Sequence, residues 1–447
     1  MSTTTVETSP RILPEEIHPR LGRHMLVDGY DLVLDLGRSR GAFLYDSLRG
    51  GEILDLFTCV SSCALGYNHP KLDTPEFRER ILPAAINKPS NPDVYTEQMA
   101  QFVEAFARTL PAPLASHLFF IDGGALAVEN ALKTAFDWKV RKNLAAGRGE
   151  KGSQVIHFRQ AFHGRSGYTL SLTNPADIRK TQYFPKFPWP RITNPKLSFP
   201  TTPEVLEQVI AAERQAIAEI EQALVENRDD IAALIIEPIQ GEGGDNHFRG
   251  EFLRELRRLA DEHDFLLIFD EIQTGFGMTG RWWSCEHFDV LPDIIAFGKK
   301  TQVCGIAVSN RIDDVESVFK VPSRINSTWG GNLVDMVRCT RFIEIIEEDG
   351  LLANAERVGR RLLDGLRRLE EVFPGKVTNS RGRGLFVAFD LPDQALVNKV
   401  LDTLLAQGTM ALPSGVHSIR FRPALVLQPE EADEALRRVE KALLSVF

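Results

Sequence analysis

Two patterns of apolar and polar positions recur along the chain. Short unbroken apolar runs end abruptly at charged or glycine positions, and longer stretches carry apolar residues at helical spacing. Runs at 118–121, 155–158, 231–236, 265–269 and 294–297 read as strands buried on both faces, as inside a parallel sheet. Stretches 97–110, 125–138, 205–227 and 252–263 carry the helical period. This alternation predicts an α/β fold with a mostly parallel central sheet. Earlier in the chain, 32–36, 43–45 and 53–57 are short runs set apart by Gly and Asp turns, and they predict small strands. Residues 1–20 are polar and proline-bearing and read as mobile ends, while 174–203, rich in Pro, Phe and Trp, reads as an irregular surface segment. Near residue 335 the pattern changes to long helices over 333–348 and 352–373. Short strands in GLFVAFDL and HSIRFRPALVL follow, then a last helix over 429–446. The change predicts a smaller α+β domain. The expected division is 1–85 as an N-terminal segment contributing to that small domain, 86–334 as the large domain and 335–447 as the C-terminal small domain.

A parallel sheet matters because ligands sit beyond the carboxyl ends of its strands. The run at 265–269 stops at Asp270 and Glu271, and the run at 294–297 stops at Gly298, Lys299 and Lys300. An acid and a lysine therefore reach one rim. The run at 231–236 ends in EPIQGEGGD and brings Glu237 and Glu242 to the same place. LFFIDGGALAVENALK reads as a strand, a Gly123-Gly124 turn and a helix start. Free N–H groups and the helix dipole favour an anion there, by roughly 0.3–1 kcal/mol and up to about 2 when partly buried. RQAFHGRSGYTLSLT gathers Phe162, His163 and Arg165 beside glycines and hydroxyls. A ring there can stack on a planar cofactor, and a guanidinium can grip a carboxylate bidentately.

Together these groups suggest one chemistry. A desolvated lysine is neutral enough to condense with an aldehyde. A buried carboxylate can pair with a protonated pyridine nitrogen, a charged hydrogen bond worth roughly 1.5–3 kcal/mol. A phosphate would sit on the Gly124 turn. Lysine, acid and anion site in this combination point to pyridoxal 5'-phosphate.

Composition removes other classes. With 447 residues, 43% hydrophobic and 25% charged, the chain reads as an ordinary globular protein large enough for two domains. A net charge of -9 without a basic block argues against nucleic-acid binding. No apolar run has the length needed to cross a bilayer, and MSTTTVETSP has neither a charged start nor an apolar h-region. Cys59, Cys63, Cys285, Cys304 and Cys339 are scattered without metal-ligand spacing and read as reduced residues of a cytoplasmic protein.

DEIQTGFGMTGR followed by PDIIAFGK resembles the signature of the class III pyridoxal-phosphate aminotransferases of fold type I, a likeness that runs from about residue 20 to the end. Within that family, GGALAVENALK, NKPSN, AFHGRSGYTLSLTN, EPIQGEGGD, FGKKTQVCG and NSTWGGN resemble the members that take the terminal amine of L-lysine. One departure stands out. The family's usual serine-glycine-serine/threonine-glutamate phosphate cup is Gly123-Gly124-Ala125-Leu126 here, so backbone N–H groups must replace hydroxyl donors.

The resemblance implies transfer of the ε-amino group of L-lysine to 2-oxoglutarate, giving 2-aminoadipate 6-semialdehyde and L-glutamate by a ping-pong mechanism. Other ω-amines, 4-aminobutyrate or ornithine, are the alternative donors. It implies that Lys299 holds the cofactor and shuttles a proton, with Lys300 the rival. Asp270 would pair with the pyridine nitrogen and Glu237 support the ring's polar edge. Phe162 and Ile272 would sandwich the ring, and Gln273 would reach its hydroxyl. Gly124 and Ala125 would bind phosphate, joined by Thr328 from a partner subunit, which implies a homodimer with shared active sites. Arg165 would hold the distal carboxylate of substrate, and Glu242 would cover Arg420 when lysine binds and leave it for 2-oxoglutarate.

Overall fold

The computed structural model describes residues 12–447. The mobile ends expected over 1–20 therefore lie in part outside the described residues, and within them Pro14–Leu21 is helical, with Pro at the first position, where a missing N–H is tolerated. The central sheet has the strand order His117–Ile121, Cys304–Val308, Ile294–Phe297, Leu266–Asp270, Ile231–Ile236, Gln154–Phe158, Arg191–Ile192. Every neighbouring pair is parallel except those made by Cys304–Val308, which runs against both of its neighbours.

The unbroken apolar runs follow from burial on both faces. Leu267 and Phe269 join one hydrophobic cluster, while Leu266 and Ile268 join the other, on the side covered by helix Gly124–Ala145 through Val128, Leu132, Ala135 and Trp138. Alternate side chains of a strand point to opposite faces, so a strand covered on both sides must be apolar throughout. Helix starts are marked by the residues expected to cap them. Thr96 Oγ1 accepts from the Met99 N–H, and Thr202 Oγ1 accepts from the Val205 N–H ahead of Pro203.

Register brings the rim together. Ala296 pairs with Asp270, Phe297 with Gly305, and Cys304 with Ile121. The ends of the acid strand, the lysine strand and the strand before the glycine turn therefore lie side by side. The unexpected strand Cys304–Val308 is what allows this. The chain turns back over Lys299–Thr301, with Lys299 and Gln302 in left-handed backbone conformations, and returns between two strands that share a direction.

A three-stranded sheet joins Phe43–Asp46, Gly51–Asp55 and Thr409–Met410, the last pair parallel. Thr378–Arg383, Phe386–Asp390, Ser418–Phe421 and Leu412–Ser414 form an antiparallel sheet that carries Arg420. The expected strand at 32–36 is only an isolated bridge from Leu34 to Asp46. Its backbone is satisfied otherwise: the Val33 N–H donates to Asp46 Oδ1, and the Val33 carbonyl accepts from Ser47. Within 174–203 the chain is irregular except for a turn at Ile178–Lys180 and the edge strand Arg191–Ile192. Among the described residues no helix is long and apolar enough to cross a membrane.

Gly305 shows how tightly the returning strand fits. A Cβ there would overlap the Phe119 carbonyl oxygen and stand 2.7 Å from Phe297 Cζ. Gly305→Ala should destabilise the protein by about 1–3 kcal/mol, the usual cost of overpacking. A drop in the urea unfolding midpoint checks it; an unchanged midpoint would show that the strand can move aside.

Candidate active site

Beyond the rim lies a cavity of about 260 Å³. Gly124, Ala125, Phe162, Glu237, Glu242, Asp270, Ile272, Gln273 and Lys299 all line it. His163 and Gly164 line it as well. Three expected residues are absent from its lining: Arg420, which reaches it through Glu242 and Gln273, and two that lie elsewhere. Arg165 is exposed and lines a neighbouring groove with Glu129, Tyr168 and Phe187, and Thr328 is exposed on the 322–329 loop.

Direction separates the two lysines. Lys299 faces the cavity, whereas the Lys300 ammonium is buried and donates to Ser61 Oγ at 3.1 Å and to the Gln273 carbonyl at 2.7 Å. Burial lowers the Lys299 amine to about 8, helped by the positive charge of Arg420 and opposed by Asp270 and Glu237.

Asp270 ends its strand almost wholly buried. Its Oδ1 accepts from the Ile272 N–H at 3.1 Å, and its Oδ2 accepts from His163 Nδ1 at 2.8 Å. Among the described residues His163 Nε2 is buried without a partner, so the imidazole's one bond there is the one that holds the acid. Sequence reading noted this imidazole without giving it a task; its place directly after the aromatic Phe162 was the available signal.

Glu237 braces two loops. Its Oε1 accepts from the Phe162 N–H at 2.9 Å and its Oε2 from the Gly241 N–H at 2.8 Å. Burial pushes its carboxyl up to about 7, with the nearby Asp270 charge adding to the rise and His163 opposing it.

The anion end is made of backbone. Gly123 caps helix Gly124–Ala145 at φ 99° with no side-chain bond, and the first helical bond runs from Ala127 to Gly123. The N–H groups ahead of it belong to the Gly124 turn on the cavity wall. Glycine is needed here for space: a Cβ on Gly124 would stand 3.1 Å from Ile272 Cδ1, and one on Gly164 would overlap Ala125.

At the other end, Arg420 Nη2 donates to Glu242 Oε2 at 2.7 Å, and Lys180 Nζ donates to Glu242 Oε1 at 3.0 Å. Burial alone would raise the Glu242 carboxyl, but the Arg420 and Lys180 charges hold it below the usual carboxylate range. Gln273 Oε1 accepts from Arg420 Nη1 at 3.1 Å and from Arg422 Nε at 3.0 Å. Arg422, which sequence reading passed over, is fully buried against Asp245 at 2.7 Å.

A pH effect on stability follows from Lys299. Below pH 8 the folded protein carries a desolvated ammonium. Between pH 8 and 10.5 the unfolded chain still holds a proton that the folded chain has released, so stability rises with pH across that window. Lys299→Met in the cofactor-free protein should therefore raise Tm at neutral pH. Its advantage should shrink as the pH climbs toward 10.5. Paired melting curves across that range check it, and an advantage that grew with pH would contradict it.

Known proteins resemble this chain in sequence and fold. The family described as aminotransferase class-III matches residues 26–443. The chain is 52% identical over 434 residues to the L-lysine-epsilon aminotransferase of Mycobacterium tuberculosis (strain ATCC 25618 / H37Rv), which covers 96% of each chain. It is 48% identical over 435 residues to the L-lysine-epsilon aminotransferase of Streptomyces clavuligerus, covering 97% of this chain and 95% of that one. The solved lysine aminotransferase from M. tuberculosis, in the internal aldimine form, superposes with a TM-score of 0.95 at 51% identity, over 98% of this chain and 100% of that one. The family match runs without interruption through the strands of Asp270 and Lys299 to the segment of Arg420, and the chain belongs to the class-III aminotransferases.

Proposed function

We propose that this chain moves the terminal amino group of L-lysine to 2-oxoglutarate, using pyridoxal 5'-phosphate. The observation that carries the reading is the Glu242–Arg420 pair at 2.7 Å beside a lysine with a lowered pKa. Two relatives about half identical to it, both L-lysine-epsilon aminotransferases, support the same choice of donor.

The residues fit the cofactor. An uncapped helix start offers N–H groups to a phosphate, and a buried carboxylate held by His163 suits a protonated ring nitrogen. When bound, the cofactor supplies an aldehyde that takes up the amino group and a ring that withdraws electrons from the neighbouring carbon. Lys299 Nζ moves a proton off the amine-bearing carbon of the donor and later returns one to the acceptor. Asp270 would face the ring nitrogen, its carboxylate oriented by the His163 N–H at its second oxygen. Phe162 and Ile272, which line the cavity, would form the two faces of the slot, Gln273 would supply an amide to the ring hydroxyl, and Gly124 and Ala125 would hold the phosphate.

The two substrates differ in charge where they meet the site. The terminal carbon of lysine bears no carboxylate, whereas the reacting carbon of 2-oxoglutarate does. Glu242 neutralises Arg420 in the first case and gives it up in the second. Arg165 would hold the distal carboxylate in both. The reading includes a cytoplasmic homodimer, in which Thr328, exposed on its loop, reaches the phosphate of the neighbouring subunit.

Purified protein with L-lysine and 2-oxoglutarate should yield glutamate and a trappable semialdehyde or its cyclic imine. Ornithine and 4-aminobutyrate should serve less well; no product from lysine would sink the donor assignment and leave the family intact. Lys299→Ala should abolish turnover although Lys300 remains. Glu242→Ala should slow the lysine half-reaction at least about tenfold more than the glutamate one, and equal losses would count against the pair as a switch.

A further inference from the structure

The carboxylate of Glu242 lies between two cations of different kind. Arg420 is buried, with 2% of its side chain exposed, whereas Lys180 on the opposite side is 37% exposed. Lys180 closes the Ile178–Lys180 turn, and the acid that caps that turn, Asp177, is taken by Arg179. Its ammonium reaches across to Glu242 Oε1 at 3.0 Å, while Oε2 faces Arg420.

The backbone around Glu242 is tied down. Its carbonyl accepts from the Gly415 N–H at 2.9 Å, and the Gly241 N–H before it is bound to Glu237. Side chains at Gly241 and Gly243 would overlap Gln273 and the Gln160 carbonyl. Glu242 can therefore change partner only by turning its own side chain.

We propose that Lys180 is a positioning residue that keeps the Glu242 carboxylate paired after a substrate carboxylate has displaced it from Arg420. The proposal rests on the Glu242–Arg420 reading above. A dicarboxylate entering the site brings negative charge to Arg420 and pushes Glu242 outward. Without Lys180 the displaced carboxylate would stand unpaired beside a like charge, in a place too sheltered for water to screen it fully. The lysine ammonium rides on a flexible four-carbon stem, so it can hold Oε1 while Oε2 leaves the guanidinium. Before displacement Glu242 has two cations, and afterwards it has one. Loss of Lys180 thus weakens the displaced arrangement more than the paired one, and the balance shifts against the dicarboxylate half-reaction.

The test uses the holoenzyme and glutarate, an unreactive five-carbon dicarboxylate, with its Kd read by calorimetry. Lys180→Ala should raise that Kd about three- to fivefold, the size of a half-exposed ion pair. The KM for 2-oxoglutarate should rise in step, with a smaller change in the KM for L-lysine. Lys180→Arg, which retains the charge, should recover most of the loss. In a Glu242→Ala background, Lys180→Ala should have no further effect on glutarate. An effect that persists there means that Lys180 touches the ligand itself and overturns the proposal. Equal shifts for both substrates, or none, overturn it too, provided Glu242→Ala still separates the two half-reactions. If Glu242→Ala fails to separate them, the switch itself falls, and the role of Lys180 falls with it.

Discussion

Charge withdrawn from water at the end of a sheet is the constraint on which this structure turns. Arg420 and Arg422 both donate to the single carboxamide oxygen of Gln273, so two guanidinium groups are held close together in a nearly dry place. Such an arrangement is costly unless each cation has its own acid. Glu242 and Asp245 supply those acids from one glycine-rich turn, at 2.7 Å each. Arg422 also lies over the Phe386 ring, with its Cζ 3.3 Å from the centroid. The same cations act on Lys299, whose amine is lowered first by burial and next by Arg420. The charge cluster at the end of the cavity thus adds to what burial does to the lysine.

The geometry of that cluster depends on residues with no charge at all. The 241–245 turn can lie against Gln273 and the Gln160 carbonyl because Gly241 and Gly243 have no side chains. Asp270 keeps its orientation through an imidazole whose other nitrogen has no partner among the described residues. The returning strand after Lys299 needs Gly305 beside Phe119 and Phe297. Small residues thus mark where backbone and functional side chains must approach most closely.

Much of this was legible in the sequence, and the reasons differ by element. Strands covered on both faces betray themselves as apolar runs, so Ile231–Ile236 and Ile294–Phe297 could be bounded to the residue. Asp270 and Lys299 stood out because a charge ends each run. Cys304–Val308 was not read as a strand: the reversal over Lys299–Thr301 leaves only a few residues between two strands, which resembles a loop. The run at 32–36 misled in the other direction, since an apolar pattern cannot tell a ladder from an extended segment held by the Asp46 carboxylate. Lys299 and Lys300 are adjacent and chemically identical, and only the left-handed backbone at Lys299 and the partners of Lys300 separate them. Arg422 has no local signature, because its importance comes from Asp245 and Gln273, which are remote in sequence.

The pairing of Gly51–Asp55 with Thr409–Met410 has a consequence for how the protein is made. Leu56 accepts from the Arg422 N–H, and Thr58 Oγ1 donates to the Arg422 carbonyl, so the early segment is anchored to a piece of chain synthesised 364 residues later. A chain emerging from the ribosome can close its central sheet once residue 308 is out, but the arginine end of the site must wait for residues beyond 420. Until Thr409–Met410 emerges, Gly51–Asp55 presents on that side a strand edge without its partner, an edge open to pairing with other chains.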